Sequence, residues 1–117
     1  MIKQGDIIRI NFGPVINLRH EEDKYRPGLV VSNDDYNSYC GGIVLICPIS
    51  HAKDFPLHID LPSGLKTEGK VLCEHIRALD INARNYEYIE SVSEDYINDI
   101  SKILKACVDV NIKASDV

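Results

Sequence analysis

Hydrophobic and polar residues alternate along several short stretches of this chain, which is the period-two pattern of half-buried β-strands. The alternation runs through residues 8–12 and returns in residues 57–61. Residues 43–47 are apolar throughout, which predicts a central strand that is buried on both faces and ends at Pro48. Further strands are predicted at residues 28–33, 70–77 and 86–90.

Near the C-terminus the spacing of apolar residues changes to that of an amphipathic helix. The apolar positions are Tyr96, Ile97, Ile100, Ile103, Leu104, Cys107 and Val108. Ser91 or Ser93 can cap this helix, and Glu94 stands three residues after Ser91, as a capping box requires. About six short strands followed by one helix predict a mainly β fold, a small closed or partly closed barrel, in a single domain spanning residues 1–117.

Polar turn signals separate the predicted elements, and the longest polar stretch is a loop at residues 13–25. Shorter turns are indicated at residues 33–35, 41–42 and 62–64. A loop as long as residues 13–25 is unusual in a small domain and is more often functional or mobile.

The composition favours a cytoplasmic protein. No apolar stretch is long enough to span a membrane, and the N-terminus lacks the apolar run of a signal peptide. Cys40, Cys47, Cys73 and Cys107 show no paired spacing, so buried, reduced thiols are favoured over metal ligands. The four histidines form no zinc pattern, and we predict neither a metal nor a cofactor nor a membrane partner.

The net charge of −5 argues against broad electrostatic binding of nucleic acid. The charge is uneven, however, because residues 1–84 hold 10 Lys/Arg and 11 Asp/Glu, whereas residues 85–117 hold 3 and 7. A local basic groove outside the C-terminal helix is therefore compatible with the sequence, and it would bind RNA through a few placed contacts.

An arginine, Arg26, stands just before the second predicted strand. Pro27 fixes its own φ and favours an extended Arg26, after which the strand begins at Gly28. A guanidinium held in this way suits phosphate, because its planar fork donates two parallel hydrogen bonds and keeps its charge. The competing interpretation is a solvated turn arginine that pairs with Glu21 or Glu22.

Four motifs follow one another along the chain: Gly5-Asp6-Ile7, the Arg26-Pro27 strand, Pro48-Ile49-Ser50, and Glu74-x-Ile76-Arg77-x-Leu79-Asp80. Together they resemble the MazF/PemK family of toxin endoribonucleases. The resemblance implies an SH3-like β-barrel with a C-terminal α-helix, working as a homodimer and inhibited by a cognate antitoxin protein. It also implies metal-independent, sequence-specific cleavage of single-stranded mRNA, in which the 2′-hydroxyl attacks the phosphate and leaves 2′,3′-cyclic phosphate and 5′-hydroxyl ends.

The same resemblance suggests roles for particular residues. Arg26 matches the catalytic arginine of the family. Ser50 stands where the family usually has a threonine that contacts the scissile phosphate, and serine keeps the hydroxyl while losing the methyl group. The alternative for Ser50 is a turn serine bonded to its own backbone.

Two further catalytic candidates are Glu74 and His20. Glu74 stands where some family members carry an acidic residue proposed as a base, and partial burial could raise its pKa. Its alternative is a carboxylate paired with Arg77 or Lys70. His20, six residues before Arg26, matches a histidine that assists cleavage in one branch, and it could protonate the leaving group. Its alternative is a solvated loop histidine.

Arg77, His51 and Asn33 are predicted to bind the RNA substrate. His58 and His75 look structural or exposed, and His75 stands where the family commonly has glutamine. One branch of the family has a catalytic arginine two residues before the acidic position, but this chain has Leu72 there. Arg26 and Ser50 would therefore carry more of the chemistry.

Two other functions stay open at this point. One is a non-catalytic barrel that binds a protein, similar to the gyrase-poisoning toxin CcdB, because related folds do not decide function. Such a barrel would not need the pair of Arg26 and Ser50. The other is an inactive relative in which serine at position 50 has abolished cleavage.

Overall fold

The computed structural model describes residues 1–14 and 24–111 of the chain. Within these residues the chain forms seven strands and two α-helices. In chain order they are β1 (Asp6–Asn11), β2 (Tyr25–Val30), α1 (Asp34–Tyr39), β3 (Ile43–Ser50), β4 (His58–Asp60), β5 (Lys70–Leu72), β6 (Arg77–Asp80), β7 (Tyr86–Ser91) and α2 (Glu94–Val108). A 3₁₀ turn, Cys73–His75, joins β5 to β6. Neither described helix is long and apolar enough to cross a membrane.

The strands form one antiparallel sheet in the order β4-β5-β3-β2-β1-β7, with β6 paired to β3 beside this path. β3 changes partner along its length: residues 43–46 pair with β6, whereas Ile49 and Ser50 pair with β5. This arrangement confirms the predicted mainly β, barrel-like fold with a C-terminal helix. In the part of the chain that is described, β4 and β7 at the two ends do not pair, so the curled sheet stays open there.

The sheet buries apolar residues on both faces, because successive side chains of a strand point to opposite sides. One core cluster packs under α2 and includes Ile7, Leu29, Cys47, Ile49, Val71, Cys73, Ile97 and Ile100. The other lies on the opposite face and includes Ile8, Ile10, Phe12, Val30, Val44, Ile46 and Leu79. The thiols of Cys47 and Cys73 are free and buried, as predicted, whereas Cys107 is exposed.

The C-terminal helix is confirmed, and the structure distinguishes between its two candidate caps. Ser93 is the N-cap, since its side chain accepts a hydrogen bond from the backbone N–H of Tyr96. Ser91 instead ends β7, and its hydroxyl donates to Asp6.

Three predicted boundaries are wrong. Pro48 does not end β3. It lies between the residues of β3 that pair with β6 and those that pair with β5, so neither pairing needs the N–H that proline lacks. β2 begins at Tyr25, so Arg26 and Pro27 lie within the strand rather than before it. The strand predicted at residues 70–77 is interrupted by the 3₁₀ turn, which contains Glu74.

Candidate active site

A cleft of about 360 Å³ forms where the ends of several elements meet. Its walls are Phe12, Lys24, Arg26, Pro48, Ser50, Leu72, His75 and Arg77. Most of these residues stand at or beside a terminus of β1, β2, β3, β5 or β6. The cleft brings together three residues that the sequence singled out, namely Arg26, Ser50 and Arg77.

The register of the sheet explains why Arg26 and Ser50 share this cleft. Gly28 lies opposite Pro48 in the antiparallel pair of β2 and β3. Two residues further along each strand, the same register places Arg26 opposite Ser50 and on the same face. A Cβ at Gly28 would lie 2.7 Å from Cδ1 of Ile46, so glycine permits this close packing.

Arg26 is exposed at the cleft. Among the residues that the structure describes, its guanidinium has no hydrogen-bond or ion-pair partner. Glu21 and Glu22, the partners that the competing interpretation required, lie outside the described residues. The guanidinium is therefore available to an anionic ligand on the described side of the cleft.

Ser50 ends β3 with its hydroxyl only weakly held. Its Oγ donates to the carbonyl of His51 over 3.5 Å, which is long for a hydroxyl donor. Gly69 passes close behind Ser50 with a φ of +124°, and a Cβ there would lie 3.0 Å from the carbonyl oxygen of Ser50. The glycine thus allows the backbone of the neighbouring turn to support Ser50, while the hydroxyl keeps its capacity to donate to a ligand.

Three cationic side chains line the same cleft as the hydroxyl. Arg77 begins β6, and its Nη1 donates to the carbonyl of Phe12 over 2.8 Å. Lys24 is held beside Phe12, whose N–H donates to the Lys24 carbonyl over 2.9 Å. With Arg26 these residues make a basic cleft, and none of the described residues lining it is a carboxylate. A protein with a net charge of −5 therefore concentrates positive charge at one place.

Arg84 supports the Phe12 wall of the cleft by binding the backbone on either side of Phe12, although nothing in the sequence pointed to it. Its side chain is buried, and Nη1 donates to the carbonyls of Asn11 and Gly13 over 2.5 and 2.6 Å. Together with Arg77 it binds three consecutive carbonyls, an arrangement that we call the two-arginine clamp. Burial and then the nearby charge of Arg77 lower the pKa of Arg84. The clamp fixes the end of β1 and hence the Phe12 wall of the cleft.

Glu74 does not line the cleft. Its Oε2 lies 2.6 Å from Nε2 of His58, whose Nδ1 lies 2.9 Å from the carbonyl of Lys53. Since a carbonyl and a carboxylate both accept, both nitrogens of His58 must donate, which makes the ring an imidazolium when Glu74 is ionised. The predicted alternative partners of Glu74 are engaged elsewhere, because Arg77 binds Phe12 and Lys70 binds Asp54 and Asp60.

The pKa of Glu74 also differs from the expectation. Burial acts to raise it, but hydrogen bonds from its own backbone N–H and from His58 hold the pKa below the usual value. The Lys53 carbonyl raises the pKa of His58 and Glu74 raises it further, against the opposing effect of burial. The His58–Glu74 pair is thus an ion pair that joins the start of β4 to the 3₁₀ turn.

Two further predicted residues, His51 and Asn33, are described by the structure and are not part of the cleft wall. His51 follows Ser50 and is exposed, but it is not part of the cleft wall. Asn33 is the N-cap of α1, where its Oδ1 accepts from the N–H of Tyr36 over 2.8 Å. His20 lies outside the described residues. Among residues 1–14 and 24–111, no three His, Cys, Asp or Glu side chains are grouped as metal ligands would be.

A second, larger groove of about 760 Å³ runs beside α2, and Asn33 and Glu74 belong to it. Much of its wall is apolar, including Val31, Leu45, Leu57, Ile76, Leu104 and Val108. Val108 is 81% exposed and Ile76 is 38% exposed. The molecule thus has a small basic cleft and a separate apolar groove.

The comparison with protein families gives one clear result. A family model described as PemK-like, MazF-like toxin of type II toxin-antitoxin system matches residues 3–108. Comparison with curated protein sequences finds no match.

Similar solved structures include two from Deinococcus radiodurans. Its MazF is 30% identical, with 92% of this chain and 96% of that chain covered and a TM-score of 0.77. Its MazE–MazF complex gives 27% identity, coverage of 94% and 97%, and a TM-score of 0.75. A mycobacterial endoribonuclease in complex with its cognate antitoxin shares the fold, with a TM-score of 0.74 at 17% identity and coverage of 97% and 100%.

Proposed function

This chain belongs to the family of PemK-like, MazF-like toxins of type II toxin–antitoxin systems, and from that membership we propose that it is a cytoplasmic endoribonuclease that cuts single-stranded mRNA at a short sequence motif without a metal ion. The observation that carries this proposal is the basic cleft, which Arg26 and Arg77 line together with Ser50. Single-stranded RNA fits such a site, because its unstacked bases can be read on their edges while a phosphate enters the cleft.

The chemistry uses the RNA's own 2′-hydroxyl as the nucleophile. That oxygen attacks the adjacent phosphorus, the bond to the 5′-oxygen breaks, and the products carry a 2′,3′-cyclic phosphate and a 5′-hydroxyl. Arg26 would bind the non-bridging oxygens as negative charge grows on them, and Ser50 would donate a hydrogen bond to the same group. Arg77 and Lys24 would hold the RNA backbone, which keeps the attack in line.

His51 and Asn33 can serve RNA binding only outside the cleft wall. His51 is adjacent to Ser50 in sequence and exposed, so it can contact a nucleotide next to the scissile phosphate. Asn33 lies on the apolar groove, and its side chain already caps α1. Among the predicted substrate-binding residues, Arg77 therefore has the strongest structural support.

We also propose two protein partners. The apolar groove beside α2 is suited to a second copy of the chain, because Val108 and Ile76 are exposed there and two-fold dimers are the commonest oligomers. The antitoxin would approach the basic cleft with an acidic segment, placing carboxylates where RNA places phosphates. The net charge of −5 means that this attraction must be local to the cleft.

Incubating the purified protein with a long RNA of mixed sequence in EDTA tests the activity and reveals the cleavage motif. We expect discrete cuts whose ends are a 2′,3′-cyclic phosphate and a 5′-hydroxyl. Replacing the ribose at the mapped site by deoxyribose should block cutting, because the nucleophile is removed. An intact RNA under these conditions, or cleavage of the deoxy substrate, would contradict the proposal, and an intact RNA would favour a non-catalytic binding barrel.

A further inference from the structure

His75 is the one residue of the described cleft wall whose side chain commonly exchanges a proton near neutral pH. The other polar residues there are two arginines, a lysine and a serine, and arginine keeps its proton throughout the physiological range. We infer that His75 is the general acid of this chain's reaction and donates a proton to the departing 5′-oxygen. The inference rests on the proposed function, and it assigns a role to a residue that the sequence pattern indicates only as structural or exposed.

The backbone around His75 is well placed to hold its side chain in the cleft. His75 closes the 3₁₀ turn, in which the N–H of Ile76 donates to the carbonyl of Cys73 over 3.3 Å. Cys73 is buried, and its N–H donates to the Leu57 carbonyl over 3.0 Å. The preceding residue, Glu74, is held by His58. The turn is therefore anchored on both sides, while the His75 side chain itself is 62% exposed.

Charged groups approach the imidazole from several elements. Nε2 of His75 lies 4.0 Å from Oε2 of Glu74, the carboxylate oxygen that also contacts Nε2 of His58. Lys24, Arg26 on β2 and Arg77 on β6 line the same cleft as His75. The imidazole therefore shares the cleft with the cationic groups that would hold the phosphate.

The proton can be followed through the step. As the 2′-hydroxyl loses its proton to water and its oxygen bonds to phosphorus, the electron pair of the breaking P–O bond moves to the 5′-oxygen. The imidazolium of His75 gives its proton to that oxygen, which leaves as a hydroxyl, and the neutral ring regains a proton from water. Glutamine, which stands at this position in much of the family, has no proton to give near neutral pH, so the role is particular to a chain with histidine here.

The decisive experiment compares two substrates with the wild-type protein and with His75→Gln. The first is a short RNA spanning the mapped cleavage site. The second carries sulfur in place of the departing 5′-oxygen, and a thiolate leaves without needing a proton. His75→Gln should cut the oxygen substrate about 10²-fold more slowly or worse, the scale of general acid catalysis. It should cut the sulfur substrate within a few fold of the wild-type rate.

The pH profile gives a second readout. Wild-type cleavage of the oxygen substrate should slow as the pH rises and the imidazolium is lost, whereas cleavage of the sulfur substrate should lack this decline. Equal losses of His75→Gln on both substrates, or full activity on the oxygen substrate, would overturn the inference.

Two controls separate this role from others. Binding of the 2′-deoxy oligonucleotide by His75→Gln should stay within a few fold of wild type, which shows that the variant folds and binds. His51→Gln is the matched histidine change, and any loss of cleavage rate that it causes should be the same on both substrates.

If the wild-type protein cuts RNA and the sulfur substrate does not restore the cleavage rate of His75→Gln, only the role of His75 fails. If the wild-type protein cuts no RNA, the proposed function fails and the role of His75 falls with it.

Discussion

For single side chains, the central fact is that Arg26 and Ser50 line one cleft from two neighbouring strands. Arg26 has no described partner, and the hydroxyl of Ser50 is held only by a long hydrogen bond. Neither side chain therefore contributes much to the stability of the fold. Substitutions at these positions should change the chemistry and leave the free energy of unfolding almost unchanged.

Arg26→Ala should lower the cleavage rate by about 10²-fold or more, the scale for removing one donor to the transition state. The measurement is the single-turnover rate on an RNA that contains the mapped site. Arg9→Ala is the matched control, since Arg9 lies on the neighbouring strand and outside the cleft wall. Activity of Arg26→Ala within a few fold of wild type, with an unchanged circular dichroism spectrum, would remove Arg26 from the mechanism.

Ser50→Thr should preserve or raise activity, whereas Ser50→Ala should lower it. Threonine keeps the hydroxyl, and its extra methyl group restricts the rotamer. The comparison uses cleavage rates of the two variants at saturating RNA. If the alanine and threonine variants behave alike, the hydroxyl has no part in the reaction.

For whole elements, the two features that matter are the His58–Glu74 pair and the two-arginine clamp. The pair ties the 3₁₀ turn to the start of β4, and the clamp ties the end of β1 to the β6–β7 region. Both connect parts of the chain that are distant in sequence, and both support a wall of the cleft.

The contribution of the His58–Glu74 pair should depend on pH. The raised pKa of His58 means that its contribution is full below the unfolded-state value, about 6.5, and is lost as the pH rises through the folded-state value. The lowered pKa of Glu74 means that its contribution is full above about 4.3 and is lost as the pH falls. The pair should therefore stabilise most near about pH 5.5.

His58→Gln should accordingly cost more unfolding free energy at about pH 5.5 than at about pH 8.5, measured by urea denaturation. The double variant with Glu74→Gln completes the cycle and isolates the coupling between the two side chains. A coupling of the same size at both pH values would show that the contact is not an ion pair.

Arg84→Met should destabilise the fold by on the order of 2 kcal/mol, because a buried guanidinium is withdrawn from two carbonyls that it serves. Methionine keeps an apolar side chain of comparable length, so the loss reports on hydrogen bonding more than on packing. Arg84→Lys keeps the charge but has only one side-chain nitrogen. Its free energy of unfolding should therefore lie between those of the wild type and Arg84→Met. Unfolding midpoints that match wild type would indicate that the clamp is not needed for stability.

The elements that the sequence predicted are those with a clear apolar pattern. The spacing of Ile97, Ile100 and Ile103 is enough to identify α2, and alternation identifies β1. The short helix α1 buries no residue, so it leaves no periodic pattern and was read as a turn. The 3₁₀ turn contains no glycine, proline, asparagine or aspartate, so no turn signal marks it in the sequence. Arg84 could not be found because its partners are backbone carbonyls more than 70 residues away, which any sequence supplies.

At the scale of the whole molecule, the proposed function would assign two tasks, RNA cleavage and dimerisation, to two separate surfaces, the basic cleft and the apolar groove. The cleft gathers positive charge on an acidic protein, and the groove offers exposed apolar side chains beside α2. Charge and apolar area are thus separated, so RNA and a second copy of the chain need not compete for the same residues.

Val108→Asp should convert a dimer into a monomer, because it places a carboxylate on the exposed apolar face of the groove. Sedimentation at micromolar concentration should show a dimer for wild type and a monomer for the variant. Val110→Asp offers a matched control, since Val110 is similarly exposed and is not part of the described groove wall. A wild-type monomer that cleaves RNA at full rate would contradict the arrangement.

The tight packing at Gly28 limits which insertions and deletions this chain can accept during evolution. The register of β2 against β3 is set at Gly28 and Pro48, downstream of the segment that joins β1 to β2. Insertions or deletions within that joining segment leave Arg26 opposite Ser50. One residue gained between Arg26 and Gly28, by contrast, would turn the guanidinium to the other side of the sheet. The placement of Arg26 relative to Ser50 therefore does not depend on the length of the joining segment, whereas the spacing from Arg26 to Gly28 is closed to change.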